Sequence, residues 1–151
     1  MKNIHFGLFL LGAVLLAGCS SHPSMYSSGS KIQIDRPIYL RGVFTWWDAD
    51  PQYQLQQVSG QKGLWMTEAE LIADGRPYEW KIGDKDWHCG TDFGYKSDSS
   101  LLKEGQKRVV DACAEFNSIK FIPKTDGTYQ FFLDLRGQDP VVYVRKKDQQ
   151  S

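Results

Sequence analysis

Histidine, cysteine and net charge are what this sequence has least of, and each shortage excludes something. Its 18 basic side chains are balanced by 18 acidic ones, and Lys and Arg are scattered among the acids. Nucleic-acid binders show a basic face or stripe, so no nucleic-acid partner is expected. The terminal Arg145-Lys146-Lys147 run reads as a solvated tail end. Of the three histidines, His5 and His22 fall near the N-terminus and only His88 falls deeper in the chain. His88 adjoins Cys89, but no Cys-x-x-Cys or second nearby histidine completes a tetrahedral zinc site. A nucleophilic cysteine would likewise find no histidine partner to activate it. No metal and no cofactor is implied. Nor does any apolar run reach the roughly 20 residues that a membrane-spanning helix needs.

One shorter apolar run is nevertheless informative. Lys2 precedes the stretch from Phe6 to Leu16, which closes with Leu16-Ala17-Gly18-Cys19. A positive n-region, a short apolar h-region and small residues at the cut define a secretory signal. A cysteine directly after those small residues makes it a lipobox. Its thiol is the nucleophile that takes diacylglycerol, so cleavage is expected before Cys19, with fatty acyl chains such as palmitate on that residue. Two or three chains anchor firmly, because each buried methylene adds about 0.8 kcal/mol. Ser20 follows, with no aspartate beside the lipid site. By the sorting rule of enteric-type bacteria, this resembles a protein sent on to the outer membrane. The expected organisation is therefore a signal peptide over 1–18, a lipidated cysteine and flexible polar tether over 19–30, and one folded domain over 31–151. That length, with 41% hydrophobic residues, suffices for one core and not for two.

Committing Cys19 to lipid leaves Cys89 and Cys113 as an even pair in an oxidising compartment. They are expected to be bonded to each other. Closing a loop of that length stabilises a fold by about 3 kcal/mol in the chain-entropy model.

From Lys31 onward the pattern is that of strands. Ile38 to Phe44 alternates, with Leu40 and Phe44 on one side and Arg41 on the other; Tyr53 to Val58 alternates again. Leu64 to Leu71 places Trp65, Ala69 and Leu71 on one face. Tyr78-Glu79-Trp80-Lys81-Ile82 alternates strictly, which directs Tyr78, Trp80 and Ile82 to the core and Glu79 and Lys81 to solvent. Ile119–Ile122, Thr128–Leu135 and Val141–Arg145 complete the set, with Asp-Gly and Gly/Pro turn signals between strands. Six or seven short strands at this spacing predict an antiparallel β-sandwich. Between Ser100 and Phe116, Val109, Val110 and Cys113 fit either a helical turn or an edge strand.

Five tryptophans need sorting. Trp65 and Trp80 are in phase with core positions, whereas Trp46, Trp47 and Trp87 follow strands into polar turns. Large aromatics on loops of a rigid scaffold suit ligand stacking, and they equally suit plugging the ends of a sandwich. The blocks Tyr39-Leu40-Arg41-Gly42-Val43-Phe44-Thr45-Trp46-Trp47 and Tyr78-Glu79-Trp80-Lys81-Ile82-Gly83-Asp84-Lys85-Asp86-Trp87 resemble the early-set, immunoglobulin-like starch- and glycogen-binding modules of pullulanases, branching enzymes and the β-subunit of AMP-activated protein kinase. Gly90 to Tyr95 and Thr125 to Phe131 extend the resemblance over about residues 36 to 146. It implies an all-β, immunoglobulin-like sandwich that binds an α-glucan-like glycan. By position, Trp47 and Trp87 match the stacking tryptophans and Lys81 the lysine that hydrogen-bonds sugar hydroxyls. Asp92 is a candidate acceptor and Trp46 an additional aromatic. The Cys89/Cys113 pair and the charged insertion from Gly94 to Phe116 depart from the family pattern.

No catalytic apparatus accompanies these blocks. A glycosidase needs two carboxylates at fixed separation in a cleft, whereas Asp48/Asp50 and Asp84/Asp86 sit in polar turns suited to side-chain-to-backbone bonds. The expectation is a non-catalytic, membrane-anchored lipoprotein that binds a glycan. The alternative is a structural or adaptor lipoprotein that contacts another envelope protein through its tryptophans.

Overall fold

The computed structural model describes residues 32–148. The expected signal peptide, the lipid site at Cys19 and the tether lie outside the described residues.

Nine strands and two short 3-10 turns make up the described chain, with no α-helix among them. The strands are β1 (Tyr39–Gly42), β2 (Gln56–Gln57), β3 (Leu64–Leu71), β4 (Tyr78–Gly83), β5 (Asp92–Tyr95), β6 (Arg108–Asp111), β7 (Ile119–Phe121), β8 (Gly127–Asp134) and β9 (Val141–Lys146). Hydrogen-bonded neighbours follow the order β1-β4-β5-β6-β9-β8-β3-β2, and β7 joins the edge of β4 that β5 also uses. Every pairing of named strands is antiparallel. The ladder curls so that β1, β4, β5 and β7 face β2, β3, β8 and β9, with β6 carrying the turn from one layer to the other. This is an immunoglobulin-like antiparallel β-sandwich.

Side-chain alternation explains what lies between the layers. Leu40 of β1, Trp80 and Ile82 of β4, Phe93 of β5 and Phe121 of β7 meet Ala69 and Leu71 of β3, Phe131 and Leu133 of β8 and Val144 of β9, all buried. Trp80 stands edge-on to Phe131 with ring centroids 5.0 Å apart and planes at 84°, a favoured aromatic geometry. Its indole N–H has no hydrogen-bond partner, so Trp80 is held by packing alone. Trp65 is half-buried against the same core, on the face its phase predicted. A smaller cluster of Leu64, Phe132 and Tyr143 covers the outer side of the second layer, where the Phe132 and Tyr143 rings stack 4.5 Å apart.

Three expectations need correction. The strand read from Ile38 to Phe44 stops at Gly42, because the Thr45 hydroxyl accepts the Gly42 N–H at 3.0 Å and donates to its carbonyl at 3.1 Å, winding residues 43–45 into a 3-10 turn. Alternation from Tyr53 to Val58 yields only the two-residue β2, after a second 3-10 turn at Pro51–Tyr53. Residues 108–111 are neither helical nor an edge, since β6 pairs with β5 on one side and β9 on the other.

Candidate functional site

The first layer has an outer side, and its register decides what stands there. Arg41 pairs with Lys81 across β1 and β4, while Gly83 pairs with Asp92 across β4 and β5. All four positions point away from the core, in the phase opposite to Trp80 and Ile82. Lys81 was expected to reach solvent from this side, but it is only 5% exposed. The correction has a physical cause: the side is roofed by the turn carrying Trp87 and by the segment that follows β6.

Trp87 lies over this side of the sheet. The Arg41 guanidinium carbon sits 3.7 Å from its ring centroid and the Lys81 ammonium 5.0 Å from it. Gly83 makes room: a Cβ there would stand 2.6 Å from two atoms of the indole. The turn itself is built on Asp84. Its Oδ1 accepts the N–H groups of Asp86 and His88, each at 3.0 Å, and its Oδ2 lies 2.6 Å from Nδ1 of His88 and 3.4 Å from Arg36. Burial raises the Asp84 pKa, but the amide and ring of His88 and the Thr91 hydroxyl outweigh it and bring the value down to about 2. Asp84 therefore makes the side-chain-to-backbone bonds expected of it, as does Asp50 with the Gln52 amide.

Arg41 ties two turns together. Its Nε donates to the Trp47 carbonyl at 2.7 Å, and its Nη1 donates to the carbonyls of Asp84 at 2.6 Å and Lys85 at 3.1 Å. One buried guanidinium thus fixes Trp47 relative to Trp87. Its role was not read from the sequence, although its position opposite Lys81 was the available signal.

Lys81 is engaged as fully. Its ammonium pairs with the Asp92 carboxylate and donates to the Ala114 carbonyl. Burial raises the Asp92 pKa, and the Lys81 ammonium works against that rise. Asp92 is itself 5% exposed, so its carboxylate is a partner for Lys81 rather than an open acceptor.

The segment after β6 supplies the opposite wall. Cys89 and Cys113 are joined by a disulfide, and Gly90 and Asp92 both donate backbone N–H groups to the Ala112 carbonyl. Just beyond, Glu115 and Phe116 project outward, with Phe116 92% exposed. Trp47, Trp87 and Phe116 all have left-handed backbone, with φ of 63°, 57° and 59°. Bulky residues avoid this region, and each is kept there by its surroundings at about 1–2 kcal/mol of strain.

Together these elements enclose a groove of about 590 Å³, within the range of small-molecule sites. Trp47 and Trp87 line it with centroids 6.4 Å apart and planes at 51°, and Phe116 adds a third ring. Glu79, Asp86, Glu115 and Ser118 supply its polar groups, with Lys81 and Asp92 below. The Ser118 hydroxyl donates to Glu79 at 3.1 Å. Of the residues singled out in the sequence, the fold brings Trp47, Lys81, Trp87 and Asp92 together. Trp46 is left out: it is 88% exposed and does not line the groove. Glu79, Asp86, Glu115 and Phe116 are additional members that sequence reasoning missed. A second cleft, of about 260 Å³ between Ile32, Val110, Leu135 and Pro140, is lined by no aromatic ring. Among the described residues, no three of His, Cys, Asp and Glu are grouped to hold a metal ion.

No family model matches the chain, and no curated protein matches its sequence. A solved structure, described as the ligand-induced structure of AmyP-SBD, shares the fold with a TM-score of 0.55 at 15% identity. The match covers 95% of this chain and 97% of that one.

Proposed function

We propose that this chain is a lipid-anchored protein of the bacterial envelope whose sandwich binds a glycan, of α-glucan type, without catalysing its cleavage. The observation that carries the reading is the groove itself, where Trp47 and Trp87 stand side by side on turns fixed by one arginine. Flat indole faces suit the apolar faces of sugar rings, and carboxylates around them accept hydrogen bonds from hydroxyls. Support also comes from the shared fold with AmyP-SBD, a starch-binding domain. In this reading Trp47, Trp87 and Phe116 stack on the ligand, while Lys81 and Asp92 position Trp87 and the Ala114 segment from below. The lipobox at Cys19 holds the domain at the membrane, on the outer membrane by the residue that follows it.

Isothermal titration of the soluble domain with maltoheptaose, glycogen and unrelated glycans tests the binding. Heat is expected with the α-glucans, and at least about a tenfold loss of affinity in Trp47→Ala with Trp87→Ala. Absence of heat with every glycan would sink the reading. The anchor is tested separately by labelled palmitate, which should enter the wild-type chain in a bacterial host and not Cys19→Ser. Trp46 favours a second reading. As a bare aromatic outside the groove it suits contact with another envelope protein, and crosslinking that disappears in Trp46→Ala would support that role.

A further inference from the structure

The charges around the groove are unevenly used, and that bears on what enters it. Both cations beneath Trp87 are spent internally: Lys81 on Asp92 and the Ala114 carbonyl, Arg41 on three backbone carbonyls. Both are buried, Lys81 5% and Arg41 6% exposed, so little of either cation is open to a ligand. The remaining charged groups in the lining are carboxylates. Glu79 is tempered by Lys120, whose ammonium lies 3.7 Å away at the rim. Asp86 and Glu115 are exposed, and neither makes an ion pair among the described residues. One stands on the turn of Trp87 and the other beside Phe116, so they flank the aromatic rings from opposite walls.

An ionised carboxylate accepts hydrogen bonds and donates none. A negative group brought between two such walls meets like charge at close range, while the cations beneath Trp87 are buried below the indole. Resting on the glycan-binding reading above, we infer that the groove selects glycosyl units by charge: it takes neutral and amine-bearing rings and rejects sulfated, phosphorylated or uronic ones. Polar recognition runs from ligand donors to protein acceptors, the reverse of what an exposed Lys81 would have given.

The test uses one glucan chain in three forms: maltoheptaose, its sulfated derivative and its aminated derivative. Titration at about 0.05 M salt should find the neutral and aminated forms binding, and the sulfated form at least about tenfold weaker. Asp86→Asn with Glu115→Gln should close most of that gap. Raising the salt to about 1 M, where the screening length falls to about 3 Å, should narrow it in the wild-type protein. Sulfated and neutral chains binding equally at low salt would overturn the charge selection and leave the glycan-binding reading standing. An aminated chain that binds where the neutral one does not would overturn both the α-glucan reading and the stated acceptance of neutral rings. Failure of all three forms would remove both.

Discussion

Lys81 of β4 and Asp92 of β5 form a buried ion pair on the outer side of the first layer, with the indole of Trp87 above them. Neither residue is adjacent to the other in register; they meet diagonally, since Asp92 pairs with Gly83. Such a pair is worth little as a net gain over apolar packing, yet removing one member strands the other charge without water.

Lys81→Ala should therefore destabilise the domain by about 3–5 kcal/mol in denaturant unfolding. Lys81→Met combined with Asp92→Leu should recover most of that loss. A single substitution costing under about 1 kcal/mol would mean that water reaches the site and the pair is dispensable.

Asp84 predicts the acid limit of the groove. Its folded pKa of about 2 lies below the ordinary 3.8, so its contribution is present above 3.8 and is lost as pH falls toward 2. Unfolding measured between pH 5 and pH 2 should show declining stability, accompanied by a change in tryptophan emission as the turn of Trp87 loosens. Asp84→Asn should be less stable at neutral pH and flatter across that window. An unchanged slope in the variant would assign the acid sensitivity to other carboxylates.

The disulfide joins the two walls of the groove rather than two distant parts of the core. Cys89 follows Trp87 by two residues and Cys113 precedes Phe116 by three. Cys89→Ser with Cys113→Ser should reduce stability by about 3 kcal/mol. It should also weaken the proposed glycan binding while far-ultraviolet dichroism keeps its β character. Free thiols in the wild-type protein under oxidising conditions would show that the pairing does not form.

Gly83 gives the sharpest steric prediction. A Cβ at this position would stand 2.6 Å from the Trp87 ring. In Gly83→Val the indole must lift from the sheet, at about 1–3 kcal/mol of stability. Red-shifted tryptophan emission and weaker ligand binding should accompany it. Normal emission and affinity would show that Trp87 does not depend on this close approach.

How much of this was legible in the sequence follows from which forces were local. Strict alternation at Tyr78 to Ile82 assigns Trp80 and Ile82 to the core correctly, because the period-2 geometry of a strand needs no partner to be read. The disulfide was legible by counting. What alternation could not say is whether the side away from the core is wet. Lys81 has the phase of a solvent-facing residue, and only the fold shows a turn and a bonded loop lying on it. Phe116 escaped notice for the same reason: it belongs to no strand, and its value comes from a cysteine bond and an Asn117–Tyr95 backbone contact that carry its segment to the groove. Trp46 and Trp47 are indistinguishable as sequence neighbours. They separate only when the left-handed turn after Gly42 sends one ring into the groove and the other outward.

All three groove aromatics hang on connections, at residues 47, 87 and 116, while the strands beneath carry only the supports. The spacing between rings is consequently a property of loop length and not of the sandwich. Lengthening or shortening the 84–88 turn or the 112–118 segment would re-space the rings while the core of Trp80, Phe131 and Leu133 stayed as it is. Selection or design could retune this surface for ligands of different shape without reopening the folding problem.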